Sequence, residues 1–234
     1  MLKNLKKFIS VKFCLGMVAI LLIKTIVIDF HPIPSESMEP GVEVNDVVID
    51  FRLAYGLRIP FVSKYVYRWS EPSRGDVVHF YSPINKWHES TIKRVIGVPG
   101  DTVQFVDKEL LLNGEKIECV HSQTGKYFYI CNEKLERIAG GYEVKKSKTP
   151  YVYGDFTEEF IVPPGKVFLA GDNRNNSSDS RKWGMLPFDR VYGQHIYTFK
   201  DAKWIIDSLL IMLGLWILLD FIRKPVSKRK EKAE

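Results

Sequence analysis

Two long apolar runs bracket a middle in which apolar and polar residues alternate. Residues 13–30 and 204–222 each approach the roughly 20 residues that cross a bilayer core of about 30 Å. The pattern predicts a transmembrane helix over each run. Lys24 interrupts the first and has to snorkel or find a partner. Asp207 and Asp220 lie near the ends of the second, and Trp204 is placed as an interface anchor. The alternative for either run is a buried core helix. For the first it is also a signal peptide, although no A-x-A-like site follows Phe30.

The middle, residues 31–203, reads as short strands. Val42–Phe51 is strand-like with a turn near Asn45-Asp46, and Asp76–Tyr81, Thr91–Gly97, Lys166–Ala170 and Tyr192–Phe199 are further runs. Asp101–Val106 and Glu109–Gly114 bracket a hairpin, with Asn113-Gly114 a strong turn signal. Gly and Pro punctuation between such strands predicts a mostly β, antiparallel, partly barrel-like domain. Residues 115–160 are polar, Lys-rich and Tyr-rich, and are expected to form a small inserted, peripheral subdomain.

Charge refines the picture. Residues 1–12 carry four Lys and no acid, and residues 223–234 carry six Lys/Arg against two Glu. The tails together hold +8 of an overall +6, so the body sums to about −2. No basic body points to nucleic acid. The positive-inside rule places both tails (1–12 and 223–234) in the cytoplasm and residues 31–203 on the opposite side. Disulfides persist there. Cys119 and Cys131 read as a bridge, the alternative being two buried free thiols.

The candidate chemistry starts with absences. His31, His79, His88, His121 and His195 form no close pair, and no metal-ligand spacing, cofactor loop or G-x-S-x-G elbow is present. Neither a metal nor a cofactor is expected. Three clusters remain. Ser35-Glu-Ser37-Met-Glu-Pro40 reads either as a turn or as a site. Lys93, in Thr91–Ile96, is either an exposed edge charge or a desolvated amine of lowered pKa. Gly171–Arg181 is either a polar loop or an internal frame of ion pairs. Together they permit a serine–lysine dyad. A serine hydroxyl needs a base to remove its proton, and only a neutral lysine can be that base. At neutral pH roughly one exposed lysine in a thousand is neutral, and a depression of about two units raises that fraction about a hundredfold.

Pro34-Ser-Glu-Ser-Met-Glu-Pro40, Ser73-Arg-Gly-Asp-Val-Val78, Ile92-Lys-Arg-Val-Ile-Gly-Val-Pro-Gly-Asp101 and Gly171-Asp-Asn-Arg-Asn-Asn-Ser-Ser-Asp-Ser-Arg181, in this order, resemble the motif set of bacterial type I signal peptidases. Tyr55-Gly-Leu-Arg-Ile-Pro60 is similar to the Gram-negative members. The resemblance covers most of residues 31–193. It implies a membrane-bound serine endopeptidase of the bacterial inner membrane, multi-pass, with its catalytic domain periplasmic, that cleaves preprotein signal peptides after Ala-x-Ala-like sites. Ser37 would be the nucleophile and Lys93 the general base. Ser35 would complete the oxyanion hole, and Ser177 would orient the lysine amine. Asp179 and Arg181 would pair beside them, with Asp172 and Arg94 nearby. Met38 would cover the dyad, and Ile33, Val42 and Ile92 would wall a shallow substrate pocket. The implied partners are preprotein signal peptides and the lipid bilayer. Phe51, Trp69 and Trp87 are candidates to dip into lipid, core packing being the alternative. The chain departs from the family pattern at Asn175, at His31 and His79, where apolar residues are usual, and in the second apolar run. The alternatives are a dedicated conjugation or pilin-maturation peptidase of the same chemistry and a non-catalytic adaptor that binds signal peptides.

Overall fold

The computed structural model describes residues 22–58, 65–84, 90–135, 138, 140–149 and 155–205, with isolated positions between 15 and 19 and between 207 and 215. Its strands are β1 (Ile28–Pro32), β2 (Val47–Phe51), β3 (Gly56–Arg58), β4 (Tyr65–Arg68), β5 (Val77–Tyr81), β6 (Ser90–Gly97), β7 (Thr102–Val106), β8 (Glu109–Leu112), β9 (Glu115–Lys116), β10 (Cys119–Thr124), β11 (Phe128–Glu133), β12 (Tyr142–Ser147), β13 (Phe160–Ile161), β14 (Lys166–Ala170), β15 (Leu186–Pro187) and β16 (Val191–Phe199). The main sheet runs β1-β2-β16-β5-β6-β14-β15, and its ladders are antiparallel. Register shifts in the β2·β16, β5·β16 and β6·β14 pairs mark bulges, which bend a sheet and increase its twist. The sheet is therefore curled but open, with β1 and β15 at its edges.

The predicted strands at 76–81, 91–97, 166–170 and 192–199 are β5, β6, β14 and β16. The predicted hairpin is β7–β8, turned by Asp107 and Lys108 at positive φ, and Asn113-Gly114 turns the next pair, β8–β9. Val42–Asp46 is not a strand. Asn45 has φ 72, and Glu43 N–H donates to Asp46 Oδ2 at 2.8 Å, so a side-chain-closed turn replaces the first half of the expected strand.

The inserted segment is not peripheral. β10–β11–β12 form a three-stranded sheet joined by a Cys119–Cys131 disulfide. Cys131, Leu135, Tyr142 and Val144 are buried in one cluster with Ile96, Phe105, Leu110 and Phe168. A second cluster packs Val78, Phe80 and Val95 against Leu169, Leu186 and Phe188. Neither face of β6 is left to solvent, which excludes the reading of Lys93 as an edge charge: β6 lies between β5 and β14.

The second predicted span falls largely outside the described residues, as do the basic tails, Trp87 and Asp220, and the first lies outside them only in part. Among the described residues no helix is long and apolar enough to cross a membrane. The first expected span also ran too far. Helical residues reach Thr25 and Ile26, and Ile28–Phe30 already belong to β1. Lys24 has its partner in Asp29, 3.9 Å away.

Candidate active site

The chain leaves β1 at Pro32 and turns through a single 3-10 turn, Glu36–Met38. Backbone bonds from Ile33 N to Asp46 O and from Asn45 N to Ile33 O hold the approach. The turn itself is held from the Gly171–Arg181 segment. Asn173 donates from its backbone to Ser37 O at 3.1 Å and from its side chain to Glu36 O at 3.1 Å. Gly171 is required by the same close approach. A Cβ there would stand 2.5 Å from Ser37 O and closer still to Ser177 Oγ.

Lys93 projects from β6 to this turn. Its Nζ donates to Ser37 Oγ at 2.7 Å and to Ile92 O at 2.8 Å, and the residue is 2 % exposed. Burial pushes the amine down from about 10.5 to about 8, against the opposing pull of the Asp179 and Asp172 carboxylates. An ammonium has three protons to satisfy, whereas these partners number two. In the neutral form one N–H donates to Ile92 O and the lone pair can face the Ser37 hydroxyl, the arrangement a general base needs. Ser35 Oγ lies 3.4 Å from Ser37 Oγ at the solvent side of the turn. Ile33, Met38, Val42 and Ile92 form one buried apolar cluster with Val48.

The charged motif residues make a frame. Arg94 clasps Asp172 through two bonds of 2.9 and 2.7 Å and donates to Gly75 O. Arg181 holds Asp179 at 2.8 and 2.7 Å, and Gly171 N–H donates to Asp179 Oδ2. Burial pushes the Asp179 carboxyl up, but the Arg181 charge and these hydrogen bonds outweigh it and hold the group below the usual carboxylate range. Arg74 pairs with Asp101 in the same way. One expected contact is not formed. Ser177 Oγ is buried near Ser37 on the side of the Asp179 carboxylate, and Lys93 turns instead to the carbonyl of Ile92.

Two groups of residues escaped the sequence reading. Glu133, Tyr142, Lys146 and Arg174 form a buried network: Arg174 Nη1 and Tyr142 Oη both donate to Glu133, at 2.8 and 2.7 Å, and Lys146 lies 3.3 Å from it. Arg174 stands in the last of the four motifs, but its partners Tyr142 and Glu133 lie 32 and 41 residues upstream, where no spacing links them. The other group, His31, Asp50 and His79, brings three ligand-type atoms within 4.8 Å of one another. Among the described residues this group could hold a metal ion, and its spacing along the chain gives no signal of it.

The chain matches the model of the family described as signal peptidase, peptidase S26, over residues 5–200. Signal peptidase I of Pseudomonas fluorescens is 34% identical over 191 residues, covering 75% of this chain and 66% of that protein. Signal peptidase I of Pseudomonas aeruginosa is 33% identical over 190 residues with the same coverage. The match thus spans just under two thirds of each Pseudomonas protein. Signal peptidase I of Aquifex aeolicus is 31% identical over 227 residues, covering 82% of this chain and 84% of that protein. A crystal structure of a signal peptidase I from Enterococcus faecalis, 27% identical, covers 53% of this chain and 97% of its own, with a TM-score of 0.33.

Proposed function

The chain belongs to the signal peptidase family, peptidase S26, and from that membership we propose that it is a membrane-attached serine endopeptidase that removes N-terminal signal peptides from exported preproteins with a Ser37–Lys93 dyad. The observation that carries the reading is the buried 2.7 Å contact between Lys93 Nζ and Ser37 Oγ. In the first step the neutral amine takes the Ser37 proton as the oxygen attacks the scissile carbonyl. The resulting ammonium then donates a proton to the leaving amine, and an acyl-enzyme remains for water to hydrolyse. Ser35 Oγ and the Ser37 backbone N–H are the donors for the tetrahedral oxyanion. Such donors commonly contribute about 3 kcal/mol in the transition state.

The substrate class follows from the surroundings. Ile33, Met38, Val42 and Ile92 leave a shallow apolar wall beside Ser37, suited to small side chains of an Ala-x-Ala type. β1 is a sheet edge that runs into the Ser37 turn, and an extended peptide adds naturally to such an edge. The apolar runs at 13–27 and 204–222 attach the domain to the bilayer, both tails cytoplasmic. Tyr67 and Trp69, 67% and 52% exposed at the β4 hairpin, lie at the lipid surface. This geometry explains why the serine cluster follows the first apolar run so closely: the scissile bond emerges at the membrane face, and the nucleophile waits there.

Detergent-solubilised chain incubated with a preprotein bearing an Ala-x-Ala site tests this. Ser37→Ala and Lys93→Ala are expected to fold and to leave the preprotein uncut. Cleavage persisting in either variant rejects the dyad, and a correctly folded parent that binds signal peptide without cutting it favours the adaptor reading.

A further inference from the structure

A second cluster of chemistry-bearing side chains lies on the main sheet, bordering the apolar wall. Asp29 and His31 come from β1, Asp50 from β2 and His79 from β5. The register pairs Asp29 with Asp50 and His31 with Val48, so these side chains share a face. His79 is the register partner of Ile92 in the pocket wall, and across β16 it is the partner of Gly193. Gly193 has no side chain to intervene: a Cβ there would stand 3.1 Å from Asp50 Cβ. His79 Nδ1 consequently rests directly against Asp50 Oδ2.

The cluster is built yet unsatisfied. Asp50 is 0 % and His79 2 % exposed. Among the described residues, both Asp50 carboxylate oxygens, His79 Nδ1 and His31 Nε2 are buried without an aligned hydrogen-bond partner. A buried carboxylate left this way is strongly unfavourable unless it is paired with a cation or coordinates one. Two separations suit coordination, while His79 Nδ1, in direct contact with Asp50 Oδ2, has to draw back to admit an ion. His31 Nε2 stands 3.4 Å from Asp50 Oδ2 and 3.4 Å from Asp29 Oδ2. Ligands bound tetrahedrally at about 2.0–2.2 Å lie about 3.3–3.6 Å from one another. Arg52 Nη1 holds the same Asp29 oxygen at 3.0 Å, an outer-shell contact of the kind that orients a ligating carboxylate. His31, whose side chain is 23% exposed, provides the way in.

We propose that His31 Nε2, His79 Nδ1 and Asp50 Oδ2, with Asp29 as fourth ligand, bind a divalent zinc-type ion that pins β1, β2 and β5 together behind the substrate-side wall. Two imidazoles and one or two carboxylates are the donor set for zinc. The ion is structural: it stands apart from the Ser37–Lys93 pair and takes no part in the cleavage.

The test uses the full chain, stripped with a chelator and titrated with zinc chloride alone. One zinc per chain is expected, with the outer domain's melting temperature raised by roughly 5–10 °C at a hundredfold excess over the dissociation constant. Cobalt in place of zinc is expected to give the intense visible bands of a four-coordinate site. His31→Ala and Asp50→Asn are expected to weaken binding at least a hundredfold. His121→Ala, in a different sheet, leaves it intact, and so does Ser37→Ala, which separates this outcome from that of the peptidase reading. Zinc binding unaffected by His31→Ala overturns the proposal. So do a six-coordinate cobalt spectrum and the absence of any zinc-dependent rise in melting temperature in the parent chain. The parent measurements decide the matter even if Asp50→Asn fails to fold.

Discussion

Replacing Lys93 with methionine is expected to inactivate the protein and to stabilise it at neutral pH. The magnitude follows from the depressed amine. A fall from about 10.5 to about 8 means that the folded state binds the proton more weakly by about 3 kcal/mol. The sign is set by linkage. Between these two values the unfolded chain binds more protons than the folded one, so stability rises with pH. The penalty is fully present below pH 8 and has vanished above pH 10.5. Methionine keeps the volume and removes the penalty, but it forfeits the bonds to Ser37 Oγ and Ile92 O, each contributing about 1 kcal/mol. At pH 7 the variant should therefore gain about 1 kcal/mol. At pH 10.5 it should be about 2 kcal/mol less stable than the parent. Denaturant unfolding of both chains across pH 6–10.5 measures the difference. A difference that stays constant over that range would refute the desolvated-amine argument, whatever its size.

Three further predictions follow from the same geometry. Cleavage should rise tenfold per pH unit below about pH 8 and level off above it, because only the neutral amine is a base; a flat profile from pH 6 to 10 contradicts this. Gly171→Ala should cut kcat about a hundredfold, since the new methyl displaces the Ser37 backbone or Ser177; unchanged turnover would show that the turn tolerates the shift. Glu133→Ala should destabilise the fold by about 3–5 kcal/mol by leaving Arg174 and Lys146 buried without their shared carboxylate, and a loss below about 1 kcal/mol in urea unfolding would place those cations in water.

How much of this the sequence carried depends on the range of each signal. Strands such as β5, β6 and β16 were legible because two-residue alternation and flanking glycines are local. The same alternation misled at Val42–Val44, where the Asp46 side chain closes a turn that looks like strand in a hydropathy pattern. Ser37 and Lys93, which the fold brings into contact, were legible as motif members, and Lys93 could be singled out from chemistry alone. The carbonyl of Ile92, its second partner, could not, because a backbone acceptor carries no residue signature. The burial of 128–147 was illegible for a further reason. Glu133 and Lys146 read as surface residues until Arg174, far along the chain, is brought against β11 and β12. His31, Asp50 and His79 belong to three strands whose neighbours in the sheet are not their neighbours in sequence. Two of them stood out as departures from the family pattern, a signal that something polar replaced apolar packing without saying what.

The buried network also holds the turn that carries Ser37. β12 meets the 171–181 segment through Lys145 N–H to Asp172 O and Arg174 N–H to Lys145 O, both 2.9 Å, so Asn173 is clamped between two residues tied to the inserted sheet. Asn173 in turn holds Glu36 O and Ser37 O. Lys145 Nζ reaches past it to Glu39 Oε2 at 2.7 Å, on the other side of the turn. The 3-10 turn bearing Ser37 has no side-chain cap of its own at Ser35. Its rigidity is borrowed from a segment whose own fixed points are Glu133, through Arg174, and Asp179, through Arg181 and Gly171. A short turn with a single internal backbone bond would not by itself keep a hydroxyl within hydrogen-bond reach of a buried amine. In this fold the polar insertion supplies that precision, which gives a physical reason for burying charge in it.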